Sequence, residues 1–206
     1  MPIPQIELTI LLLIVLALQA SADDPDLARR IRAGDQEAFR EFFEAHYDVL
    51  SRYLSAQGFA AIDCRDVVQR AFVAVWTERR RIQPDKPLRA YLFRIARNAA
   101  LNDLRKAARH SPLNDAIDVA DSSEAAVSQD DGPLNSQIAA AVSNLSARRR
   151  EVIELCFLGG LTYAEAADVL NIARKTVENQ VGLALKDLRS ALGLTGSGAT
   201  VPREGS

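Results

Sequence analysis

An all-α fold is predicted, and three observations predict it. Nearly every periodic segment carries the helical repeat, with apolar residues three and four apart rather than alternating. No strand pattern and no glycine-rich phosphate loop stands out. Capping signals stand where periodic segments begin: Asp63, Ser146, and Thr162 with Glu165 three residues on. At 206 residues, 48% hydrophobic and 25% charged, the chain suits one domain or two small ones with a buried core.

The first segment, residues 1–22, is the exception to this pattern. Leu8 to Leu18 is an almost unbroken apolar run, and Ala20-Ser21-Ala22 is a small-residue triplet of the kind signal peptidases cut. No Lys or Arg precedes the run, Glu7 does, and a bilayer span takes about 20 residues. Three readings of it stand: an extension from a misassigned start, a membrane or partner contact, and a signal.

From Pro25, Leu27, Ile31, Ala38, Phe39, Phe42, Phe43, Tyr47, Leu50 and Leu54 give an apolar face that Gly34-Asp35 divides into two helices, read as scaffold. Asp63 then caps a helix whose Val67, Val68, Ala71, Phe72, Val75 and Trp76 form a broad buried stripe. Asp66, Gln69 and Arg70 fall on its opposite face. Pro84 and Pro87 mark a break, and a long helix follows over about Leu88 to Arg109. A count of about 100° per residue puts Leu88, Leu92, Ile95, Ala96 and Ala99 on one side of it. Arg94, Arg97, Asn98, Leu101 and Arg105 lie on the other, with Asn102, Lys106 and Arg109 at the margins. Asp103 is the only acid there, so the spacing makes a track for a nucleic-acid backbone.

The net charge of −2 hides a division. Residues 65–110 hold twelve Arg or Lys against four Asp or Glu, whereas 111–133 hold six acids and no base. The latter stretch, rich in Ser, Asp and Ala, is predicted to be a flexible acidic linker between helical domains at 25–110 and 134–192. Cys64 and Cys156 have no metal-ligand spacing, and His46 and His110 are the only histidines, so reduced thiols and no metal site or cofactor are expected.

After the linker, Leu134 to Leu145 reads as a helix, and Ser146 caps another from Ala147 to Phe157, which Gly159-Gly160 ends. Thr162 and Glu165 form a capping box for a helix from Tyr163, Asn171 suits the left-handed residue that ends it, and a further helix resumes near Arg174. In that last helix Val177, Val181, Ala184, Leu185, Leu188 and Leu192 form the apolar stripe. Its first two turns leave Arg174, Lys175, Thr176, Glu178, Asn179 and Gln180 exposed. Cations and amides at a helix N-terminus suit phosphates and base edges, as in the helix-turn-helix arrangement with the second helix as reader; the alternative reading of the same pattern is an ordinary helical hairpin with a solvated polar face. The tail, residues 193–206, has a disordered composition.

The order DVVQRAFVAVW, KPLRAYLFRIARNAALNDLRK, linker, LSARRREVIELCFLGGLTYAEAADVLNIARKTVENQV resembles bacterial RNA polymerase sigma factors. The likeness is to the small extracytoplasmic-function (ECF) group, which has only the second and fourth sigma domains, and it covers roughly Asp26 to Leu192. It implies that Asp66, Gln69 and Arg70 face the polymerase. It also implies that Arg94, Arg97, Asn98, Asn102, Arg105 and Lys106 hold the melted −10 element, with a flipped base received near Pro84 to Arg89. Arg174, Lys175, Thr176, Asn179 and Gln180 are similarly implied to read the −35 element. The partners implied are core RNA polymerase, promoter DNA and an anti-sigma factor, with no small-molecule substrate, in the cytoplasm.

Three positions depart from the family pattern. Arg70 stands where an acid is common, Ala173 replaces a Ser cap at a cost of about 1 kcal/mol, and Gln180 stands where a cation is usual. The competing reading is a helix-turn-helix regulator that binds DNA without joining polymerase, which leaves the basic helix and the Asp66/Gln69 face unexplained. No nucleophile and base, paired acids or metal cluster suggests an enzyme.

Overall fold

The computed structural model describes residues 25–57, 62–110 and 133–193, and every regular element among them is helical. The leader 1–22, the linker 111–132 and the tail beyond Gly193 lie outside the described residues.

Pro25 opens α1 (Pro25–Ala33), where its missing N–H costs nothing, and Asp26 in the first turn with Arg30 and Arg32 in the last suit the helix dipole. Gly34, at φ 96°, turns the chain into α2 (Gln36–Ala56). The N-cap Asp35 accepts from the N–H groups of Glu37 and Ala38 at 2.9 and 3.1 Å, and Arg30 donates to its second oxygen at 2.9 Å. The Ala38 amide first, and Arg30 next, hold this carboxyl below its ordinary value.

Asp63 caps α3 (Cys64–Thr77) as the sequence predicts, accepting from Arg65 and Asp66 at 2.9 and 3.3 Å. Val67, Val68, Ala71, Phe72 and Val75 are buried, but Trp76 is not fully in the core. It sits in the last turn, tilted against Phe39 with centroids 4.9 Å apart, and Arg79 of the following 3-10 turn lies 4.6 Å over its ring. Phe43, predicted as core, is 36% exposed and leans on Phe72. The proline-marked break leads into α4 (Leu88–His110).

The C-terminal half begins with α5 (Pro133–Ser143) and α6 (Ala147–Ile153). Ser146 occupies the N-cap position, but its side chain makes no capping bond. The predicted helix Ala147 to Phe157 stays α-helical only to Ile153 and widens into a π turn, Glu154–Leu158, closed by Gly159 N–H on the Glu154 carbonyl at 2.8 Å. Then α7 (Tyr163–Leu170) starts at the capping box, and Asn171 ends it at φ 52°. Last comes α8 (Arg174–Ala191).

One apolar cluster runs through both halves, from Phe42, Leu50, Val68, Leu92 and Phe93 to Leu155, Leu161, Ala166, Val177 and Val181. Helix α4 makes this possible because it packs on α3 with one side and on α7 with another. Phe93 is the hinge point of the packing. Its ring lies 5.3 Å from that of Tyr53 and comes so close to Gly159 that a Cβ there would meet it at 3.1 Å and the Leu155 carbonyl oxygen at 2.6 Å.

Candidate nucleic-acid and polymerase interface

The basic helix presents two kinds of cation. Arg94, Asn98, Asn102, Arg105 and Lys106 are exposed, as their spacing predicts, and the Arg94 guanidinium lies 5.5 Å from the Tyr91 ring centre, one helical turn away. Arg97 departs from the predicted face: it is half-buried, and its Nε donates to Glu151 Oε1 of α6 at 2.7 Å. Burial opposes its charge, but Glu151 and, after it, Tyr53 together outweigh that, so its pKa stands above the ordinary value. Arg89 is deeper still, 7% exposed, with Nη2 3.5 Å from Glu165 Oε2, itself 10% exposed. The burial of both arginines has one cause. A helical count finds the faces of an isolated helix, whereas α4 is covered on an additional side by the C-terminal half.

Beside α4 lies an open cavity of about 280 Å³, lined by Arg81, Gln83, Lys86, Tyr91 and Arg94 from the N-terminal half and by Asp168 from α7. It includes Lys86, Pro87 and Leu88 of the stretch from Pro84 to Arg89 that the resemblance marks for a flipped base. Arg94 was legible from the helical count, but the Tyr91 ring beside it was not singled out by the sequence. Asp168 was not legible either, because it comes from a helix far along the chain.

On α3, Asp66, Gln69 and Arg70 are exposed along one face, and Val73, 63% exposed, continues it one turn on. Arg70 is tied down: its Nε donates to Asp66 at 2.7 Å and its Nη2 reaches Asp103 of α4.

On α8, Arg174, Lys175 and Asn179 are exposed, while Thr176 and Gln180 are partly covered. Arg174 Nε and Lys175 Nζ both converge on Glu178, at 3.1 and 3.3 Å. Ala173 is the N-cap and offers no side-chain bond, as its chemistry requires. Behind α8, Val177, Val181 and Ala184 are buried against α6 and α7. Among the described residues no cluster of His, Cys, Asp or Glu could hold a metal ion, and no helix is long and apolar enough to cross a membrane.

A helix-turn-helix in the same chain as a separate helix of exposed cations is the outline of a nucleic-acid-binding protein. Residues 42–110 match the model for Sigma-70 region 2, and residues 135–188 match that for Sigma-70, region 4. The chain is 33% identical over 180 residues to RNA polymerase sigma factor CnrH of Cupriavidus metallidurans, covering 82% of this chain and 94% of that protein. It is 32% identical over 179 residues to RNA polymerase sigma factor NccH of Alcaligenes xylosoxydans xylosoxydans, with the same coverage, 82% and 94%. With ECF RNA polymerase sigma factor SigM of Mycobacterium tuberculosis it shares 27% identity over 185 residues, 87% of this chain and 90% of that one. A solved structure of CnrH in complex with the cytosolic domain of CnrY superposes with a TM-score of 0.59 at 31% identity, over 84% of this chain and 98% of that one. The chain belongs to the ECF group of RNA polymerase sigma factors, which join core RNA polymerase and direct it to promoters. A regulator that binds DNA without polymerase does not account for the region 2 match.

Proposed function

We propose that residues 25–110 form the sigma domain that docks on polymerase and holds the −10 element, and that 134–192 form the one that reads the −35 element, joined by the linker 111–133. Asp66 and Gln69 on α3 are the polymerase contacts. Arg94, Asn98, Asn102, Arg105 and Lys106 hold the melted strand, with Arg97 joining them when it leaves Glu151. Arg174, Lys175, Thr176, Asn179 and Gln180 on α8 meet the −35 duplex. The observation that carries this reading is the run of exposed cations and amides on α4, beside a cationic cavity with an aromatic wall, in the same chain as a helix-turn-helix. Tyr91 offers a ring on which a flipped base stacks, and Arg81, Lys86 and Arg94 offer charge for its phosphates.

The protein works in the cytoplasm and catalyses no covalent chemistry of its own; its contribution is binding and capture of the opened strand. An anti-sigma partner fits the same reading, since the related CnrH is solved with CnrY.

Run-off transcription with purified core polymerase, a promoter library and a protein beginning near Asp23 tests this. Promoter-specific transcripts that need the protein, and vanish with Asp66→Arg or Gln69→Arg, are expected. Transcripts unchanged by those substitutions would move the polymerase contact elsewhere. DNA binding without any transcript would return the plain regulator to favour.

A further inference from the structure

Arg81, Lys86 and Arg94 put three cations around the cavity of about 280 Å³ beside α4, Tyr91 gives it an aromatic wall, and Asp168 of α7 is the one acid among its lining residues. Arg81 holds Glu78 at 3.2 Å in a pair exposed on both sides, and the Arg94 guanidinium lies 5.5 Å from the Tyr91 ring centre, so a guest competes readily for either. We propose that this cavity binds a free guanine mononucleotide. Tyr91 stacks on the base, Asp168 accepts hydrogen bonds from its Watson–Crick edge, and Arg81, Lys86 and Arg94 meet its phosphates.

Each part of the nucleotide has its reason. The space lies just under the range of about 300–1,000 Å³ for small-molecule sites, which suits one nucleotide and not two. Stacking accepts any base, since each has a π face, so the acid must do the selecting. An ionised carboxylate only accepts, and guanine alone presents two adjacent donors, N1–H and the N2 amino group, to its two oxygens. Adenine and cytosine set a ring acceptor beside their amino group, and uracil sets its one N–H between two carbonyls. An acid beside three cations would weaken a site for phosphate alone, whereas it fits a ligand with donors at one end and negative charge at the other.

A guanine of the melted promoter strand carries the same chemistry, but the origin of Asp168 favours the free nucleotide. The −10 and −35 elements are by their names about 25 base pairs apart, or about 85 Å at ~3.4 Å per pair, so a chain with one half on each cannot keep Asp168 beside Tyr91. The nucleotide therefore binds the protein off the promoter. This step rests on the roles proposed above for the two halves.

Calorimetric titration of the full chain with GDP and with ADP is the test. GDP should bind about tenfold or more tightly than ADP, within what one bidentate base contact supplies. Asp168→Asn, at an exposed residue, should weaken GDP about tenfold and leave ADP as it was. If Asp168 only tempers the cations, the same change tightens both nucleotides alike, which overturns the proposal, as does equal affinity of the wild-type chain for the two. Tyr91→Leu should weaken both about tenfold by removing the stacking surface; unchanged binding puts the nucleotide elsewhere and likewise overturns it. Single-stranded oligonucleotides with and without one guanine separate the two sources. A preference for the guanine strand that Asp168→Asn abolishes, with no binding of GDP, assigns the acid to the strand and not to a free nucleotide. Arg105→Ala, outside the cavity, tells which reading has failed when GDP does not bind. If it weakens the oligonucleotide, α4 does hold the strand and the nucleotide site alone has failed; if it changes nothing, the reading of α4 has failed as well.

Discussion

Arg70 of α3 reaches Asp103 of α4 with its Nη2 while its Nε holds Asp66 at 2.7 Å, so the one acid on the basic helix is tied to the face assigned to polymerase. Asp103 first, and Asp66 after it, raise the Arg70 pKa. The sequence shows Arg70 as a reversed charge on a docking surface; the structure gives it an internal job, joining the two helices. Because Arg70 is 44% exposed, each pair is worth roughly 0.2–1 kcal/mol. Arg70→Glu sets three acids together and should lower stability by about 1–2 kcal/mol. Combining it with Asp103→Arg should restore most of that loss. Chemical denaturation of the four members of this cycle is the measurement, and equal, additive losses would mean that the pair does not couple.

Glu165 has two partners at once. Its carboxylate accepts from the Thr162 N–H at 2.6 Å to close the capping box, and the same oxygen faces Arg89 at 3.5 Å. Thr162→Ala removes only the reciprocal bond, in which the Glu165 N–H donates to the Thr162 hydroxyl at 3.3 Å, and should cost about 1 kcal/mol. Glu165→Ala loses its half of the box and leaves a buried guanidinium without this carboxylate, so it should cost about 3 kcal/mol or more. Urea midpoints of the two variants compare them directly. Similar losses would show that the contact with Arg89 adds nothing.

The cap positions were legible because capping is local: Asp63, Thr162 with Glu165 and Asn171 all do what their types and spacing predict. The readable part of the candidate site is local in the same way, with exposed Arg94, Asn98, Asn102 and Arg105 following from the helical count. What the sequence hid depends on distant chain segments meeting. Arg97 and Arg89 point as cations on a helix do, and only the approach of α6 and α7 buries them. Gly159 reads as a helix terminator, yet its lack of a side chain also lets Phe93 come close. The π turn at Glu154–Leu158 has no local signal that separates it from a continuing α-helix.

Ala173 offers a gain rather than a loss. It already holds the extended conformation of an N-cap, φ −67° and ψ 140°, and is exposed, but it has no side-chain acceptor for the first turn of α8. Ala173→Ser should stabilise the protein by about 1 kcal/mol without moving the backbone. A calorimetric rise in Tm would report it. An unchanged Tm would mean that the first turn of α8 is already satisfied by water.

Glu154 makes stability depend on pH in an unusual direction. It is 3% exposed at the junction of the halves, and burial pushes its carboxyl up to about 8 from 4.5; Arg150 works against the shift and Glu151 adds to it. The folded protein therefore keeps this proton over a range in which the unfolded chain releases it. Stability from this group is full below about pH 4.5, falls as pH rises toward 8 and levels off above, with a slope near 1.4 kcal/mol per pH unit for one proton. Asp35, whose pKa is lowered, acts in the opposite sense but contributes equally to wild type and variant, so it cancels in their difference. Glu154→Gln replaces the neutral acid with a neutral amide that can still meet Gln57. The variant should match wild type near pH 4.5 and exceed it by a few kcal/mol at pH 8, the sum of that slope over the interval. Denaturant titrations of both proteins at pH 4.5, 6 and 8 measure the gap. A gap that stays constant across the three would show that Glu154 titrates alike in the folded and unfolded states.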